Sequence, residues 1–428
     1  MPPSITPQEF QANWKPKFFT IFTGQAVSLF GSSLVQFALV WYLTRQTGSA
    51  TVLATATLIA MLPQVFIGPF AGALIDRWNR RLVMIFADGL IALATLFLAG
   101  LFWAGAAQIW HIYLILLIRS LGGAFHWPAM SASTSLMVPK EQLSRVAGAN
   151  QTLQGLLGIV APPTGALLIG VLPTEGVLLI DVFTALTAIL PLFFIAIPQP
   201  IQAVSAAGSE NSYWQDLRDG LRYVAAWPGL LAVGAMAVLI NFLLTPTGSL
   251  MPLLVTRYFG LGALELGFTD TLWGVGMIAG GLLLSLWGGF KRRIATSLTG
   301  ILGIGLGVIL VGLAPADKFW LALAGMSLTG LASVFANGPL DAIIQAVVKP
   351  EMQGRVMSLM GSVATAMTPL SLAVAGPLSD AIGIRTWYII GGALSLLIGL
   401  IGFFIPAVMN LETNHGEHSP AAEPLTVA

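Results

Sequence analysis

The sequence predicts an all-α membrane protein in which twelve transmembrane helices form two six-helix bundles. Three observations predict this class: an apolar composition, twelve apolar stretches of membrane-spanning length, and an internal repeat. Of the 428 residues, 56% are hydrophobic and 9% are charged, whereas a soluble domain carries roughly 25% charged residues. A soluble protein of this length cannot bury so much apolar surface, so that surface must face lipid.

Charged and Pro/Gly-rich points divide the chain into apolar stretches of about 20 residues, the length that crosses a ~30 Å hydrocarbon core. The predicted spans are 17–43, 51–75, 82–104, 109–137, 146–172, 176–197, 228–256, 265–289, 294–314, 318–347, 355–379 and 386–408. Helices are expected because lipid offers no hydrogen-bond partner to backbone polar groups, and the sequence lacks the short alternating segments of a barrel.

Basic residues are concentrated on one side of these spans. Loops on the side of the N-terminus carry fourteen Lys or Arg residues, whereas the other side carries Arg45, Arg257, Lys318 and Arg385. The positive-inside rule assigns the basic side to the cytoplasm. We therefore expect a multi-pass protein with both termini in the cytoplasm.

The spans and loops predict five segments. They are a cytosolic N-terminal tail at 1–16, a six-helix bundle at 17–197, a cytosolic linker at 198–227, a second six-helix bundle at 228–408 and a cytosolic tail at 409–428. In the linker, Tyr213, Trp214, Leu217, Leu221 and Val224 lie on one face of a helix, which predicts a helix lying along the membrane surface. A solvated linker is the alternative.

The two halves of the chain repeat one another. Pro128 and Pro139 match Pro339 and Pro350 at an offset of 211 residues. The pair Arg80-Arg81 matches Arg292-Arg293 at an offset of 212. A repeat with six spans in each copy and the same direction of insertion implies two bundles related by an axis along the membrane normal, with the site between them.

Residue content argues against several other functions. The net charge of +1 argues against a nucleic-acid partner. The chain has no cysteine, and His415 and His418 lie in a polar tail, so we expect no metal and no cofactor. Neither a phosphate-binding loop nor a cluster of catalytic side chains is present, so we expect neither ATP hydrolysis nor enzymatic activity.

The loop after the second span carries a recognisable motif, Gly72-Ala-Leu-Ile-Asp76-Arg77-Trp-Asn-Arg80-Arg81. It resembles the signature loop of the major facilitator superfamily, with asparagine in place of the second glycine. The resemblance implies that Asp76 lies at the end of a helix in the other half, where a helix N-terminus favours a carboxylate. It also implies that the arginines pair locally and complete a conformational latch. Alternatively, the arginines serve only as topology signals.

Several charged residues lie within the predicted spans, where a charge is costly and therefore a functional candidate. Arg119 lies about ten residues inside span four, where the superfamily also has an arginine. The candidates for proton coupling are Arg119, His126, Asp88, Asp181, Asp270 and Asp341. We expect Arg119 to pair with Asp181 or Asp270, although no acid lies at the centre of its span. Arg119 as a structural hydrogen-bond donor and His126 as a packed histidine are the alternatives.

Small residues and prolines in the spans have two interpretations. Gly148, Pro162 and Gly165 in span five form a partial copy of the pattern typical of antiporters in this superfamily, and could support rocking of the helices. Ordinary packing explains them almost as well. The spacings Gly276-x-x-x-Gly280 and Gly303-x-x-x-Gly307 predict close helix packing only.

Other stretches resemble one branch of the superfamily, the macrolide efflux proteins of bacteria. They include Gly24-Gln-Ala-Val-Ser-Leu29, the segment from Ile118 to Ala129, and Gly354-Arg-Val-Met-Ser-Leu359. The resemblance implies a monomer in a bacterial plasma (inner) membrane that exports a small lipophilic or amphipathic compound, such as a macrolide, in exchange for protons. Candidate cavity residues are Phe37, Trp41, Asn241, Phe242 and Gln345.

Two other functions remain open. The first is export of a siderophore, another physiological metabolite or a lipid on the same fold, because siderophore exporters share much of this pattern. The second is a receptor or scaffold that transports nothing, which the lack of a sizeable extramembrane segment disfavours.

Overall fold

The computed structural model describes residues 13–75, 78–199, 218, 221–348 and 350–412. The twelve long helices of this part are α1 (Trp14–Thr47), α2 (Ala50–Ile75), α3 (Arg80–Trp103), α4 (Ile109–Met137), α5 (Leu143–Val171), α6 (Thr174–Phe194), α7 (Pro228–Leu253), α8 (Ala263–Trp287), α9 (Arg293–Leu313), α10 (Phe319–Val347), α11 (Pro350–Ile382) and α12 (Ile384–Phe404). Each contains a segment long and apolar enough to cross a membrane, which confirms the predicted number.

Shorter elements complete the described chain. A 3-10 turn at Lys140–Gln142 precedes α5, a π-helical turn at Leu254–Tyr258 follows α7, and α13 (Pro406–Met409) follows α12. In the predicted surface helix of the linker, residues 221–225 are helical. Its residues Tyr213, Trp214 and Leu217 lie outside the described residues, so its position along the membrane stays a prediction.

Two helices are longer than the spans predicted for them. Helix α1 runs from Trp14 to Thr47 rather than over 17–43, and α11 begins at Pro350 rather than at 355. Apolar length marks only the part of a helix that lies in hydrocarbon, whereas backbone hydrogen bonding continues into the polar interface. Lys15 and Lys17 fall in the first turn of α1, where long basic side chains can reach the interface.

The helices pack as two bundles of six. In the first bundle α1 packs against α5 and α6, α4 against α2 and α3, and α3 against α6. In the second, α10 packs against α8 and α9, α12 against α7 and α9, and α7 against α11. The repeat recurs in the helices: α4 and α10 each have 29 residues and an internal proline, and α6 and α12 each have 21 residues.

Glycines allow the helices of the second bundle to approach closely. A Cβ atom at Gly276 would overlap the backbone carbonyl of Ser327, and one at Gly280 would meet the backbone of Leu331. These contacts bring the backbones of α8 and α10 together, as small residues do between membrane helices. The packing role predicted for the Gly276 and Gly280 pair is confirmed.

The two bundles join at one membrane face. We call the face with the ends of α2, α4 and α6 the basic face, after its loops, and the other the opposite face. Near the opposite face a single buried cluster contains Leu39 and Leu43 of α1, Leu53 of α2, and Leu250 and Leu254 of the second half. This cluster seals the gap between the bundles on that side.

A carboxylate strengthens this seal. Asp380, near the end of α11, accepts hydrogen bonds from the backbone N–H groups of Ala50 at 2.8 Å and Thr51 at 3.0 Å. It also accepts bonds from the hydroxyl groups of Ser49 at 3.0 Å and Thr51 at 2.7 Å. The side chain of one bundle therefore caps the first turn of α2 in the other, where unpaired N–H groups favour a negative charge.

Towards the basic face the bundles pack separately. There the first half has its own buried cluster, including Phe18, Met84 and Met137, and the second half has another, including Leu230 and Ile343. On the part of α5 nearer the basic face, a Cβ atom at Gly148 or Gly155 would meet nothing within 4 Å. The bundles are therefore joined at the opposite face and diverge towards the basic face.

The packing of α8 gives a direct test. Gly276→Leu should destabilise the purified protein by about 1–3 kcal/mol, because the added side chain cannot fit against α10. The matched control is Gly281→Leu on the same helix, where a Cβ would meet nothing within 4 Å. Thermal unfolding in detergent measures both, and equal melting temperatures for the two variants would contradict the close approach.

Candidate functional site

A cavity of about 650 Å³ lies between the bundles, on the basic-face side of the seal. Helices α1 to α6 supply most of its lining, and α7 and α8 supply the rest. Its polar and charged lining residues are Gln25, Ser28, Ser32, Ser33, Gln36, Gln64, Asp88, Arg119, Ser120, His126, Gln154, Asp181 and Asp270. Apolar residues such as Phe37, Leu116 and Met251 complete the wall, so the cavity is amphipathic.

An ion pair lies in the wall of this cavity. Arg119 Nη1 is 2.5 Å from Asp181 Oδ2, and the two side chains are 11% and 2% exposed. The same guanidinium donates to Thr95 Oγ1 at 2.7 Å, and Ser32 donates to Asp181 Oδ1 at 3.0 Å. Of the two partners expected for Arg119, Asp181 is the one in contact, and four helices of the first bundle meet at this pair.

A second polar cluster lies nearer the basic face. His126 Nε2 of α4 is 3.3 Å from Asp88 Oδ1 of α3, although the orientation does not make a hydrogen bond. Gln25 of α1 donates to the other carboxylate oxygen of Asp88 at 3.1 Å. The structure therefore brings together two proton-coupling candidates, in a second group that also faces the cavity.

Asp270 lies apart from both clusters. It lines the main cavity and also a second cavity of about 460 Å³ within the second bundle. Among the described residues Asp270 has neither a hydrogen-bond partner nor an ion-pair partner, and it is solvent-accessible through the cavity. It is the charged residue of α8 that faces the site.

Asp341 requires a correction. Its position within a predicted span implies burial, whereas it is exposed near the basic-face end of α10. The reason is that the bundles diverge at this level, so a polar side chain there meets solvent rather than a neighbouring helix. Asp341 does not belong to either polar cluster of the cavity.

The predicted cavity residues are divided between the cavities and the packed core. Phe37 lines the main cavity and Asn241 lines the second. Trp41 and Phe242 pack against the buried cluster of the seal instead. Gln345 is exposed near the end of α10, where its backbone carbonyl accepts a bond from Gln353 at 2.7 Å. These residues lie on different faces of their helices. Composition alone does not show which of those faces lines a cavity.

The motif loop is described in part. Gly72 lies within α2, and Asp76 and Arg77 lie outside the described residues, so the latch stays a prediction. Arg80 donates to the carbonyl of Ala132 at 2.9 Å. Arg81 donates to the carbonyls of Leu192 and Phe193 at the end of α6, the latter at 2.9 Å. Arg81 thus binds the C-terminal end of α6, where a positive charge is favoured, whereas Arg80 binds a carbonyl within α4.

The glycine and proline pattern of α5 lies partly at the joint between the bundles. Pro162 lines the cavity, and the backbone there is so close to Gly267 of α8 that a Cβ on Gly267 would collide with it. Gly165 packs against Phe37 of α1, while Gly148 faces open space. The pattern therefore serves packing near the middle of α5 and leaves its start clear of other helices.

Several site residues were not found from the sequence. Ser32, Thr95 and Gln25 are uncharged, and no local signal separates them from other polar residues in apolar helices. Asp380 was also missed, because an acid near a helix end is common and its partner lies about 330 residues away. Among the described residues, no group of three or more His, Cys, Asp or Glu side chains could hold a metal ion.

Comparison with known proteins places the chain in a family. A sequence profile of the Major Facilitator Superfamily matches residues 21–367 and, in a second match, 244–426. The chain belongs to the major facilitator superfamily. Its family is one of transporters rather than enzymes.

Individual proteins that resemble this chain are also named as transporters or efflux proteins. The chain is 35% identical over 400 residues to Macrolide efflux protein A of Streptococcus pyogenes, covering 94% of this chain and 98% of that protein. It is 28% identical over 429 residues to Multidrug efflux pump Tap of Mycobacterium tuberculosis, covering 94% and 96%. In structure it is similar to a point mutant of the nucleoside transporter NupG, with a TM-score of 0.65, 14% identity, and coverage of 91% and 98%. The chain is thus a major facilitator protein related to efflux transporters.

The Arg119–Asp181 pair can be tested through stability. Arg119→Gln and Asp181→Asn should each destabilise the protein by about 3–5 kcal/mol, because each leaves a buried charge without its partner. The double variant should lose less than the sum of the two, since it removes both charges.

Arg145→Gln is the control, because Arg145 is exposed and, within the described ranges, bonds only to nearby Gln142. A change within about 0.5 kcal/mol is expected. Strictly additive effects of Arg119→Gln and Asp181→Asn in thermal unfolding would show that the two charges do not interact.

Proposed function

We propose that the chain exports lipophilic or amphipathic compounds, including macrolide-like drugs, by proton antiport with alternating access. The observation that carries this proposal is the amphipathic cavity between two bundles that are joined at one face. Its volume of about 650 Å³ lies within the range of about 300–1,000 Å³ typical of sites for drug-sized ligands. The relatives named as efflux proteins support the direction of transport.

The basic face is the cytoplasmic face in this proposal. Its loops carry most of the lysines and arginines, as the positive-inside rule requires of cytoplasmic loops. Both termini then lie in the cytoplasm of a bacterial cell, and the structure corresponds to an inward-open state. A substrate enters the cavity from the cytoplasm or the inner leaflet.

Alternating access requires the seal at the opposite face to open. The bonds of Asp380 to the start of α2 join the two bundles there, so they must break when the cavity opens outwards. In that state the proposed latch forms: Asp76, which follows α2 in the sequence, binds the start of α11 and closes the cytoplasmic face. The same two helices would thus be held by a carboxylate at one end or at the other, which makes the two states mutually exclusive.

Proton coupling is proposed for Asp181, with Asp88 and His126 as a second relay nearer the cytoplasm. Protonation of Asp181 removes the negative charge that holds Arg119, so the guanidinium must find another partner. Arg119 and Asp181 join α4 to α6, and Ser32 and Thr95 join this pair to α1 and α3. The rearrangement therefore changes contacts between four helices of the first bundle. Proton binding is thereby linked to bundle geometry.

Drug susceptibility of a pump-deleted bacterium and proton-driven efflux from its everted vesicles test the proposal across a panel of macrolides, dyes and siderophores. The wild type should raise resistance to at least one lipophilic compound and show efflux that collapses with the pH gradient. Measured per amount of folded protein in the membrane, Asp181→Asn should reduce gradient-driven efflux by about tenfold or more, whereas Arg145→Gln should not. If no drug resistance is found and a siderophore is exported, siderophore export replaces the drug-export proposal. Full gradient-driven efflux by Asp181→Asn would remove Asp181 from coupling.

A further inference from the structure

The charged residues that face the two cavities differ in their ion-pair and hydrogen-bond partners. Arg119 is paired with Asp181, and Asp88 lies beside His126 and accepts a bond from Gln25. Asp270 alone has neither an ion-pair partner nor a hydrogen-bond partner among the described residues. With His126 neutral, the charged side chains that line the main cavity are three acids and one arginine. The cavity therefore carries excess negative charge. Of the two acids without a charged partner, Asp88 accepts a hydrogen bond from Gln25, whereas Asp270 accepts none from the described residues.

The position of Asp270 is also distinctive. It is one of three residues, with Gly248 and Met251, that line both cavities, so it lies where the two meet. Among the described residues that line the second cavity, it is the only charged one. Any molecule large enough to occupy both spaces passes this carboxylate.

Apolar and aromatic groups surround it. Trp273 lies one turn further along α8, on the same helix face, and lines the second cavity with Tyr388 and Met326. Phe37, Leu266 and Pro252 line the main cavity on the other side. Aromatic faces attract organic cations, and methionine side chains adapt to ligands of different shapes. A carboxylate surrounded in this way suits a cation that carries large apolar groups.

The geometry points to Asp270 as the subsite for the positive charge of a lipophilic organic cation. The carboxylate binds an ammonium or phosphonium centre, while Trp273 and Phe37 contact its apolar substituents. Of the other groups that face the main cavity, Arg119 and Asp181 form an ion pair and Asp88 accepts a hydrogen bond from Gln25. Glu265 on the same helix as Asp270 accepts a bond from the backbone of Gly262. The inference rests on the proposed export function for its biological role, but it makes its own claim about binding.

The test is equilibrium binding to the purified full-length protein in nanodiscs. The probes are tetraphenylphosphonium, a permanent cation, and triphenylphosphine oxide, a neutral molecule with similar aryl groups. Asp270→Asn should weaken binding of tetraphenylphosphonium by about tenfold or more, and change binding of the neutral probe by less than about twofold. Asp270→Glu should retain the preference for the cation. Asp341→Asn is the matched control, because it removes an exposed acid that lines neither cavity.

Three results would overturn the inference: no binding of tetraphenylphosphonium to the wild type, unchanged binding in Asp270→Asn, or equal loss of both probes in a variant that unfolds at the wild-type temperature. If Asp270→Asn proves too unstable to assay, the probe preference of Asp270→Glu decides in its place. The binding result is separable from export. Cation binding that depends on Asp270 in a protein that moves no compound would uphold the subsite and reject the proposed transport.

Discussion

The hydrogen bonds between Asp380 and the first turn of α2 connect the two halves of the molecule. They lie at the face where Leu39, Leu53, Leu250 and their neighbours form one buried cluster across both bundles. With the described parts of the bundles held together there, they diverge at the other face, and the cavity lies between them on that side of the buried cluster. Charge-assisted bonds of this kind contribute about 1.5–3 kcal/mol each when well shielded. Asp380 is exposed, so its bonds are weaker and can exchange with water as the bundles move.

The membrane imposes a second constraint, on charge. A charged group within the bilayer must pair or face water, because hydrocarbon solvates it poorly. Arg119 and Asp181 satisfy each other in the wall of the cavity, and Asp88 lies against His126 and Gln25. These pairs connect neighbouring helices of the first bundle, whereas Asp270 of the second bundle faces the cavity without a partner in the described part of the chain. The groups proposed for proton coupling thus lie in the first bundle, and the proposed subsite for a cation lies in the second.

Much of this arrangement follows from the sequence. Apolar length gave twelve helices, and matched prolines gave the repeat that α4 and α10 show in their equal lengths. Because Arg119 lies in an apolar span, its charge required a partner. Asp181 was one of two candidates. The choice between them was beyond the sequence, because it depends on how α6 is rotated against α4. Asp181 lies only seven residues into α6, yet the long arginine side chain reaches it. Asp380 and its partners at the start of α2 are far apart in the chain, and only the packing of α2 against α11 brings them together.

The central claim is that the bundles exchange between a state joined at the opposite face and a state joined at the basic face. The chain has no cysteine, so spin labels can be attached directly at Ala106→Cys and Ala316→Cys, two exposed positions in loops of the two bundles at the opposite face. The most direct measurement is the distance distribution between these labels by pulsed electron paramagnetic resonance. The test variant is Asp380→Ala. The control is Glu175→Ala, which alters an acid in the first turn of α6 on the same face. Asp380→Ala should move a substantial population to a longer separation, while Glu175→Ala leaves the distribution unchanged. An identical distribution in the wild type and Asp380→Ala, at all pH values and with every substrate, would contradict the account.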